Sequence, residues 1–405
     1  METTFETAFG ARKNDFGHGP RVKLVELWVR SSGGSYIGAG VPLTIGRHQP
    51  EMAQRIYLDH AATTPILPEA RAAMADAMKI WANPSSPHAD GRAARAALEQ
   101  ARTRIAAAYG WEHETILTSG ASESLWIGLR RSIAERVLVS AVEHDSVLRH
   151  AEGAQVLPVL ADGTLDLDAL RAAIGPRVLL CVQRINSETG IIQPIEAIGQ
   201  IVREAGGFLL IDAAQMTPRT SAAVLRHADL VTVSAHKRGG PPGVGALFVR
   251  DLATLMPTGG QEKGYRAGTE NLPGAIGFAA AVEVPEDMDP MYKLRWRLEA
   301  ALEGAEIAGI QNSRSPLVGA YRMPGVSAEA QLIRFDLAGI SVSAGSACSS
   351  GSMRPSHVLA AMGWSEPELR EVVRVSFGRG TTEAEVDAFA AAWHEIAAEA
   401  KSRAA

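Results

Sequence analysis

Cysteine is scarce in this chain of 405 residues, which contains only Cys181 and Cys348. Two cysteines so far apart exclude a disulfide scaffold and a four-cysteine metal site, and they favour a reducing, cytoplasmic setting. An excess of positive charge is also lacking, because 40 Lys and Arg face 45 Asp and Glu. Binding to nucleic acid or to an anionic membrane surface is therefore not expected. No apolar run approaches the roughly 18 residues that a membrane-spanning helix requires.

The first 54 residues differ in composition from the rest of the chain. They are rich in glycine and mixed charge, and they lack the basic start and the apolar stretch of a secretory signal. We predict that residues 1–54 form a disordered extension or follow a misassigned start codon. A targeting or docking arm is the alternative.

From Ile56 onward, apolar runs typical of strands alternate with helix-like segments. The strand-like runs are 115–118, 137–140, 178–182, 208–211, 230–234 and 246–249, and the helix-like segments are 89–108, 122–134, 167–174 and 195–205. This alternation predicts an α/β domain with a largely parallel sheet, in which ligands bind beyond the carboxyl ends of the strands. Asp166 is expected as an N-cap and Pro194 as a first helical residue. After about residue 285 the pattern predicts a smaller α+β domain.

Chemically reactive residue types follow the predicted strands. Lys237, one of only seven lysines, ends the run LVTVSAHK before a glycine-rich turn. A lysine there can form a Schiff base with a carbonyl cofactor, or it can be an ordinary surface lysine at a turn. Asp212 ends another apolar strand, where a half-buried carboxylate could pair with a protonated pyridine nitrogen or cap the next helix.

Three further positions complete this set of candidates. Gly120 separates a strand from a helix that begins near Ser122, a turn that can bind an anion through free N–H groups. His144 follows another strand and is either catalytic or structural. Cys348 lies among small residues with glycines on both sides, which suits a nucleophile on a surface loop, whereas Cys181 in an apolar run is expected to be a buried small hydrophobe.

Together these segments resemble the cysteine desulfurases of the class V aminotransferase-like, pyridoxal-phosphate family. The similar motifs are YLDHAATTP (57–65), NPSS (83–86), SGASE (119–123), EH (143–144), DAAQ (212–215), SAHK (234–237), GGQE (259–262), RAGTEN (266–271), GSAC (345–348), PSHVL (355–359) and RVSFG (374–378). The GSACSS loop resembles the branch that has a longer cysteine loop and serves general iron–sulfur assembly or nitrogenase maturation.

The resemblance implies a fold-type I enzyme that uses pyridoxal 5′-phosphate. The large cofactor-binding domain would be 70–285, and the small domain would be 55–69 with 286–405. Implied cofactor contacts are Ala121, Ser122, His144, Asn186, Ser187, Asp212, Gln215, Ser234, His236, Lys237 and Thr269. Lys237, His144 and Cys348 would be catalytic, and Arg374 would bind the carboxylate of the L-cysteine substrate.

The same resemblance implies the products and the partners. L-alanine would form together with a persulfide on Cys348, and the sulfur would pass to an iron–sulfur scaffold or another acceptor protein. Thr269 would reach the cofactor of a second subunit, which implies a homodimer. The chain would have no metal site of its own, although Cys348 could ligate an iron–sulfur cluster transiently with a partner.

This sequence departs from the family pattern at three places. Ser187 stands where a second asparagine is usual, Ser122 stands where threonine is usual, and Leu125-Trp126 replace a more polar pair. Three alternatives remain: an aminotransferase or lyase that has no use for Cys348, a selenocysteine lyase, and a scaffold without turnover, which should have lost Lys237, His144 or Cys348.

Overall fold

The computed structural model of the chain describes residues 23–30, 36–43, 55–218, 222–345 and 354–404. Two compact units are distinguished, Met1–Gln54 and Arg55–Ala405. In the first, strands β1 (Lys23–Arg30) and β2 (Tyr36–Leu43) pair antiparallel as a hairpin, with Lys23 opposite Leu43. The sequence analysis did not predict this hairpin.

A seven-stranded sheet forms the centre of the second unit. Its strands are β4 (Glu114–Thr118), β5 (Arg136–Ser140), β6 (Gln155–Leu157), β7 (Val178–Gln183), β8 (Phe208–Asp212), β9 (Leu230–Ser234) and β10 (Gly245–Val249). The spatial order is β4-β10-β9-β8-β7-β5-β6, and only β10 runs against its neighbours. The predicted mostly parallel α/β sheet is confirmed.

Helices cover both faces of this sheet. They are α1 (Pro68–Ala77), α2 (Ala89–Ala108), α3 (Ala121–Arg130), α4 (Asp145–His150), α5 (Leu167–Ala173), α6 (Ile195–Glu204), α7 (Ala222–Leu225) and α8 (Leu272–Glu283). Along β7, Leu180 and Val182 belong to the core under α2, α6 and α8, whereas Leu179 and Cys181 belong to the core under α3. Cys181 is fully buried, as predicted.

A second hydrophobic core lies around a three-stranded antiparallel sheet. Its elements are β3 (Ile56–Tyr57), α9 (Asp289–Ala301), β11 (Glu306–Ile307), β12 (Val318–Arg322), α10 (Ala328–Leu337), β13 (Ile340–Ser341), α11 (His357–Ala361), α12 (Glu366–Leu369), β14 (Val372–Ser376) and α13 (Glu383–Ala404). The sheet order is β11-β12-β14, and β3 pairs with β13. The core includes Leu58 from the start of this unit and Phe389 and Trp393 from α13. Within the described part of the chain, no helix is both long and apolar enough to span a membrane.

Helix boundaries follow the local signals closely. Asp166 caps α5 by accepting hydrogen bonds from the N–H groups of Asp168 and Ala169 at 2.9 and 3.0 Å. Pro194, predicted as the first residue of α6, instead occupies the N-cap position one residue earlier. Helix α8 was missed because its sequence is apolar all round, so it shows no 3.6-residue periodicity.

We expect the cap at Asp166 to contribute to the stability of the folded protein. We expect Asp166→Ala to lower the free energy of unfolding by about 1 kcal/mol, because two N–H groups at the start of α5 lose their acceptor. Asp166→Asn, which keeps a capping oxygen, should remain within a few tenths of a kcal/mol of the parent in urea unfolding. Equal destabilisation by both variants would contradict a capping role.

Candidate active site at the carboxyl edge of the sheet

The carboxyl ends of β8 and β9 place a carboxylate and an amine at one edge of the sheet. Asp212 is the last residue of β8, and Lys237 ends the short 3₁₀ turn that follows β9. The Asp212 Oδ1 accepts hydrogen bonds from the Ala214 N–H at 2.9 Å and the Thr232 hydroxyl at 3.2 Å. Among the described residues none donates to Oδ2, so one carboxylate oxygen remains for a cationic N–H group.

The main-chain carbonyl of Ala61 joins Lys237 to the start of this unit. Its oxygen accepts hydrogen bonds from Lys237 Nζ and, at 3.0 Å, from Gln215 Nε2. The N–H of Ala61 donates to the Ser376 hydroxyl at 2.8 Å. The predicted site residues Lys237 and Gln215 therefore share one acceptor.

An anion-binding turn lies beside them at the start of α3. Gly120 precedes this helix at φ +148°, and a Cβ on Gly245 would lie 2.7 Å from the Gly120 Cα, so the close approach of the two backbones requires glycine at position 245. The first N–H groups of the helix, including those of Ala121 and Ser122, have no partner within it. Ser234 ends β9 and directs its hydroxyl toward Gly120.

His144 is connected to this turn through Ser146. Its Nδ1 accepts a hydrogen bond from the Ser146 N–H at 3.1 Å, so the neutral ring carries its proton on Nε2. The Ser146 hydroxyl lies 3.1 Å from Nδ1 and 2.9 Å from the Ser122 hydroxyl. The sequence analysis gave Ser146 no role, because its link to Ser122 joins two helices.

Arg374 lies on β14 with its side chain buried. Its Nη2 donates to Asp59 Oδ1 at 2.7 Å, and its Nη1 donates to the Ser187 carbonyl at 3.1 Å. Its Nε is buried and has no hydrogen-bond partner among the described residues. A buried donor without a partner costs about 1–3 kcal/mol, which a bound carboxylate would recover. Asp59 was missed as a partner because it is distant in sequence.

Asn186 and Ser187 occupy the loop after β7. The Asn186 Oδ1 accepts from the N–H groups of Glu188 and Thr189 at 2.9 Å each, and its Nδ2 donates to the Val142 carbonyl at 3.1 Å. The Asn186 side chain is thus engaged in shaping this loop, which presents Ser187 to the pocket beside Arg374.

Glu143 is a buried carboxyl next to His144 that the sequence analysis left without a role. Its Oε1 accepts from the Gln183 N–H at 3.1 Å, and its Oε2 has no partner among the described residues. Burial, together with the nearby charge of Asp212, raises the pKa of Glu143 well above its usual range. Burial of Cys181 raises the pKa of its thiol, which disfavours the nucleophilic thiolate.

The remaining predicted residues lie in different environments. The His236 Nδ1 is 3.2 Å from the Thr63 hydroxyl, and burial, followed by the charge of Lys237, lowers the pKa of His236 to about 4. Thr269 is exposed in the single chain, so the structure does not bring it into this pocket. Within the described residues, no cluster of three or more His, Cys, Asp or Glu side chains could hold a metal ion.

Cys348 lies outside the described residues, but both ends of its segment are described. Gly345 has φ +57°, and a Cβ there would overlap the carbonyl oxygen of Arg354, so the two chain ends approach closely. Gly345 lines the same pocket as His144 and Arg374. The segment 346–353 therefore leaves and re-enters the described structure next to the candidate site.

Comparison with known proteins agrees with this architecture. The model of the family "Aminotransferase class-V" matches residues 56–389. A protein named cysteine desulfurase from Cereibacter sphaeroides is 38% identical over 362 residues, which cover 82% of this chain and 93% of the relative. A NifS-like protein from Rickettsia africae has a similar structure, with a TM-score of 0.77, 32% identity, and coverage of 84% of this chain and 99% of that chain.

A third protein, described as SspA in complex with cysteine, matches with a TM-score of 0.70 and 29% identity, over 81% of this chain and 100% of that chain. The same family is indicated by the mostly parallel sheet, by the family model and by the relatives. The chain belongs to the class V aminotransferase family, whose members in general depend on pyridoxal phosphate.

The residues present fit that cofactor. The unused Oδ2 of Asp212 suits a protonated pyridine nitrogen, and the turn at Ala121 and Ser122 suits a phosphate. Lys237 supplies the amine for an aldehyde, and Gln215 lies beside it on the Ala61 carbonyl. Each polar part of the cofactor therefore has a complementary group at this edge of the sheet.

The depressed pKa of His236 predicts a pH dependence of stability. Between pH 6.5 and about pH 4 the unfolded chain binds a proton at His236 that the folded protein does not. The free energy of unfolding should therefore fall as the pH is lowered through this range. Removing the group in His236→Gln should make this fall less steep, as measured by urea unfolding at pH 7.5 and 5.0.

Exposed His394 provides the control for that measurement. We expect His394→Gln to keep the parent's dependence on pH. A His236→Gln protein whose stability falls as steeply as the parent's would contradict the assignment.

Proposed function

We propose that the protein is a cysteine desulfurase that uses pyridoxal phosphate to take sulfur from L-cysteine, giving L-alanine and a persulfide on Cys348. The observation that carries the proposal is that Lys237 and the open side of Asp212 lie at one edge of the sheet, while the partly unpaired guanidinium of Arg374 binds the Ser187 carbonyl in the loop after β7. Gly345, the last described residue before the Cys348 segment, lines the same pocket as Arg374 and His144.

Each polar residue of the site has a proposed task toward the cofactor. When bound, pyridoxal phosphate supplies an electron sink next to the substrate's nitrogen. Lys237 would hold its carbonyl carbon, Asp212 would hold its ring N–H, and Gln215 and Ser187 would contact its phenolic oxygen. Ala121, Ser122, Ser234 and His236 hold the phosphate, and Asn186 supports the loop that carries Ser187.

The substrate is proposed to bind through its carboxylate. Arg374 is already fixed by Asp59 and by the Ser187 carbonyl, so its remaining N–H groups keep a set direction. A guanidinium presents donors in a planar fork that matches a carboxylate. The structural relative described as a complex with cysteine supports a cysteine-sized amino acid as the ligand.

The sulfur is proposed to move to Cys348. Consecutive Cα atoms are 3.8 Å apart, so the Cys348 Cα lies within about 11 Å of the Gly345 Cα. The Cys348 thiolate forms an S–S bond with the substrate sulfur while the C–S bond breaks, and the carbon keeps the electron pair and then accepts a proton. His144 Nε2 and Lys237 Nζ are the groups proposed to move protons during this reaction.

The persulfide is proposed to supply a sulfur acceptor, such as an iron–sulfur scaffold protein. A thiol of the acceptor can take the outer sulfur by the same exchange chemistry. The proposed setting is the reducing cytoplasm, where such transfers compete with few disulfides.

The proposed reaction predicts different outcomes for the two cysteines. In the presence of a reductant, we expect the parent to convert L-cysteine to L-alanine and Cys348→Ala to produce none, because the attacking thiolate is lost. Lys237→Ala should also be inactive and should lack the yellow colour of a lysine-bound cofactor. The control is Cys181→Ala, which removes a buried thiol that does not line the pocket and should keep most of the activity.

Cysteine turnover that survives loss of Cys348 but not loss of Lys237 would indicate a different pyridoxal-phosphate enzyme. Turnover in neither the parent nor the Cys181→Ala protein would indicate a scaffold.

A homodimer is proposed from residues around Thr269. Thr269 is exposed, and both carboxylate oxygens of neighbouring Glu270 are buried without a hydrogen-bond partner among the described residues. The Arg95 Nη1 lies 3.9 Å from Glu270 Oε1, beyond hydrogen-bond distance. A second copy that covers this surface would bring Thr269 to the partner's cofactor.

Sedimentation provides the test of this assembly. We expect a species containing two 42.9-kDa chains at micromolar concentration. A protein that is fully active and sediments as a single chain would contradict the proposed role of Thr269.

A further inference from the structure

A second histidine, His357, lines the same pocket as His144 and Arg374. It is the first residue of α11, whose start is capped by Ser356. The Ser356 hydroxyl accepts from the Leu359 N–H at 3.1 Å and donates to Glu188 Oε2 at 2.5 Å. Val358 and Leu359 are buried in an apolar cluster. The residues before and after His357 are therefore both fixed in place.

Hydrogen bonding determines which nitrogen of His357 is basic. The Nε2 lies 2.8 Å from the carbonyl oxygen of Glu143. A carbonyl can only accept, so Nε2 carries the proton and the lone pair of the neutral ring lies on Nδ1. No described residue hydrogen-bonds to this Nδ1.

The two histidines of the pocket are anchored through different nitrogens. In neutral His144 the Nδ1 accepts from the Ser146 N–H, and the proton is on Nε2. In neutral His357 the proton is also on Nε2, but it is donated to the carbonyl just before His144 in the chain. The ring of His357 is thus held by its N–H, and its basic nitrogen is the one without a described partner.

The pocket around His357 contains groups of both charges. The other titratable or charged groups that face it are Glu143, His144, Asp145, Glu188 and Arg374. Arg374 is paired with Asp59, Asp145 lies 3.9 Å from Arg149, and Glu188 binds the hydroxyl of the residue next to His357. Glu143 and Glu188 are therefore the carboxylates of this pocket that have no cationic partner among the described residues.

We propose that His357 is a further proton-transfer residue of this site: its Nδ1 accepts a proton from the ammonium group of the amino-acid substrate whose carboxylate binds Arg374. The substrate's N–H bond breaks, its electron pair stays on nitrogen, and an N–H bond forms on the imidazole. The free amine can then act as a nucleophile, and the imidazolium returns its proton to water. This inference rests on the proposed desulfurase function.

The substitution that tests this proposal is His357→Gln. The glutamine amide can still donate to the Glu143 carbonyl, but it has no basic nitrogen. At pH 7.5 we expect the holoenzyme variant to lose about 100-fold in kcat/KM for L-alanine formation, at the low end of general-base effects. The deficit should shrink as the pH rises toward 9.5, because more of the substrate then arrives as free amine.

A matched control is His394→Gln, since the Nε2 of His394 also donates to a carbonyl, that of Ala301, at 2.8 Å, but far from the pocket. This variant should keep the parent's kcat/KM. Added imidazole should restore part of the activity of His357→Ala, because a diffusible base replaces the missing one. A merely structural role of the ring would give a deficit independent of pH and no rescue by imidazole.

The ring itself can be observed without turnover. In ¹H–¹⁵N spectra of protein labelled with ¹⁵N-histidine, the signals lost in His357→Gln should show a protonated Nε2 and an unprotonated Nδ1 near neutral pH. The opposite tautomer would overturn the inference. A His357→Gln enzyme with the parent's activity and pH profile would also overturn the inference, but it would leave the desulfurase assignment intact. A parent that forms no alanine would overturn both the inference and the desulfurase assignment.

Discussion

The backbone of Ala61 is the contact on which the candidate site depends. Its carbonyl oxygen accepts from Lys237 and Gln215 at the edge of the large sheet, and its N–H donates to Ser376 at the end of β14. The two peptide groups that flank the Ala61 Cα thus connect the edge of the large sheet with β14 at the reactive lysine. Because a buried peptide group without partners is costly, displacing this segment would disturb both sides at once.

A buried ion pair stabilises the turn that precedes the Thr269 segment. Arg102 on α2 binds both carboxylate oxygens of Glu262, which also accepts from the Leu117 N–H at 2.8 Å. Glu262 has φ +51° and Lys263 has φ +56°, a conformation that costs about 1–3 kcal/mol for such residues. The pairing with Arg102 offsets this strain, and the turn it stabilises precedes the segment that carries Thr269.

The class of fold was accessible from the sequence because its signals are local. Apolar runs bounded by polar residues identified six strands of the central sheet, and capping residues such as Asp166 marked the start of helices. Among the elements that escaped were the all-apolar helix α8 and the short edge strand β6, which lack a local signal, and the hairpin β1–β2. The roles of Lys237, Asp212 and Cys348 remain proposals that rest on family resemblance and placement.

The sequence by itself determined which chemical groups are available and that several of them follow strands of one parallel sheet. Strand direction then brings those groups to one edge, whatever the details of packing. Only the tertiary structure decided the pairings between distant residues, such as Asp59 with Arg374 and His357 with the Glu143 carbonyl. The direction of a hydrogen bond depends on the partner's chemistry, so which nitrogen of His357 is basic became defined only when residues 214 positions apart met in the fold.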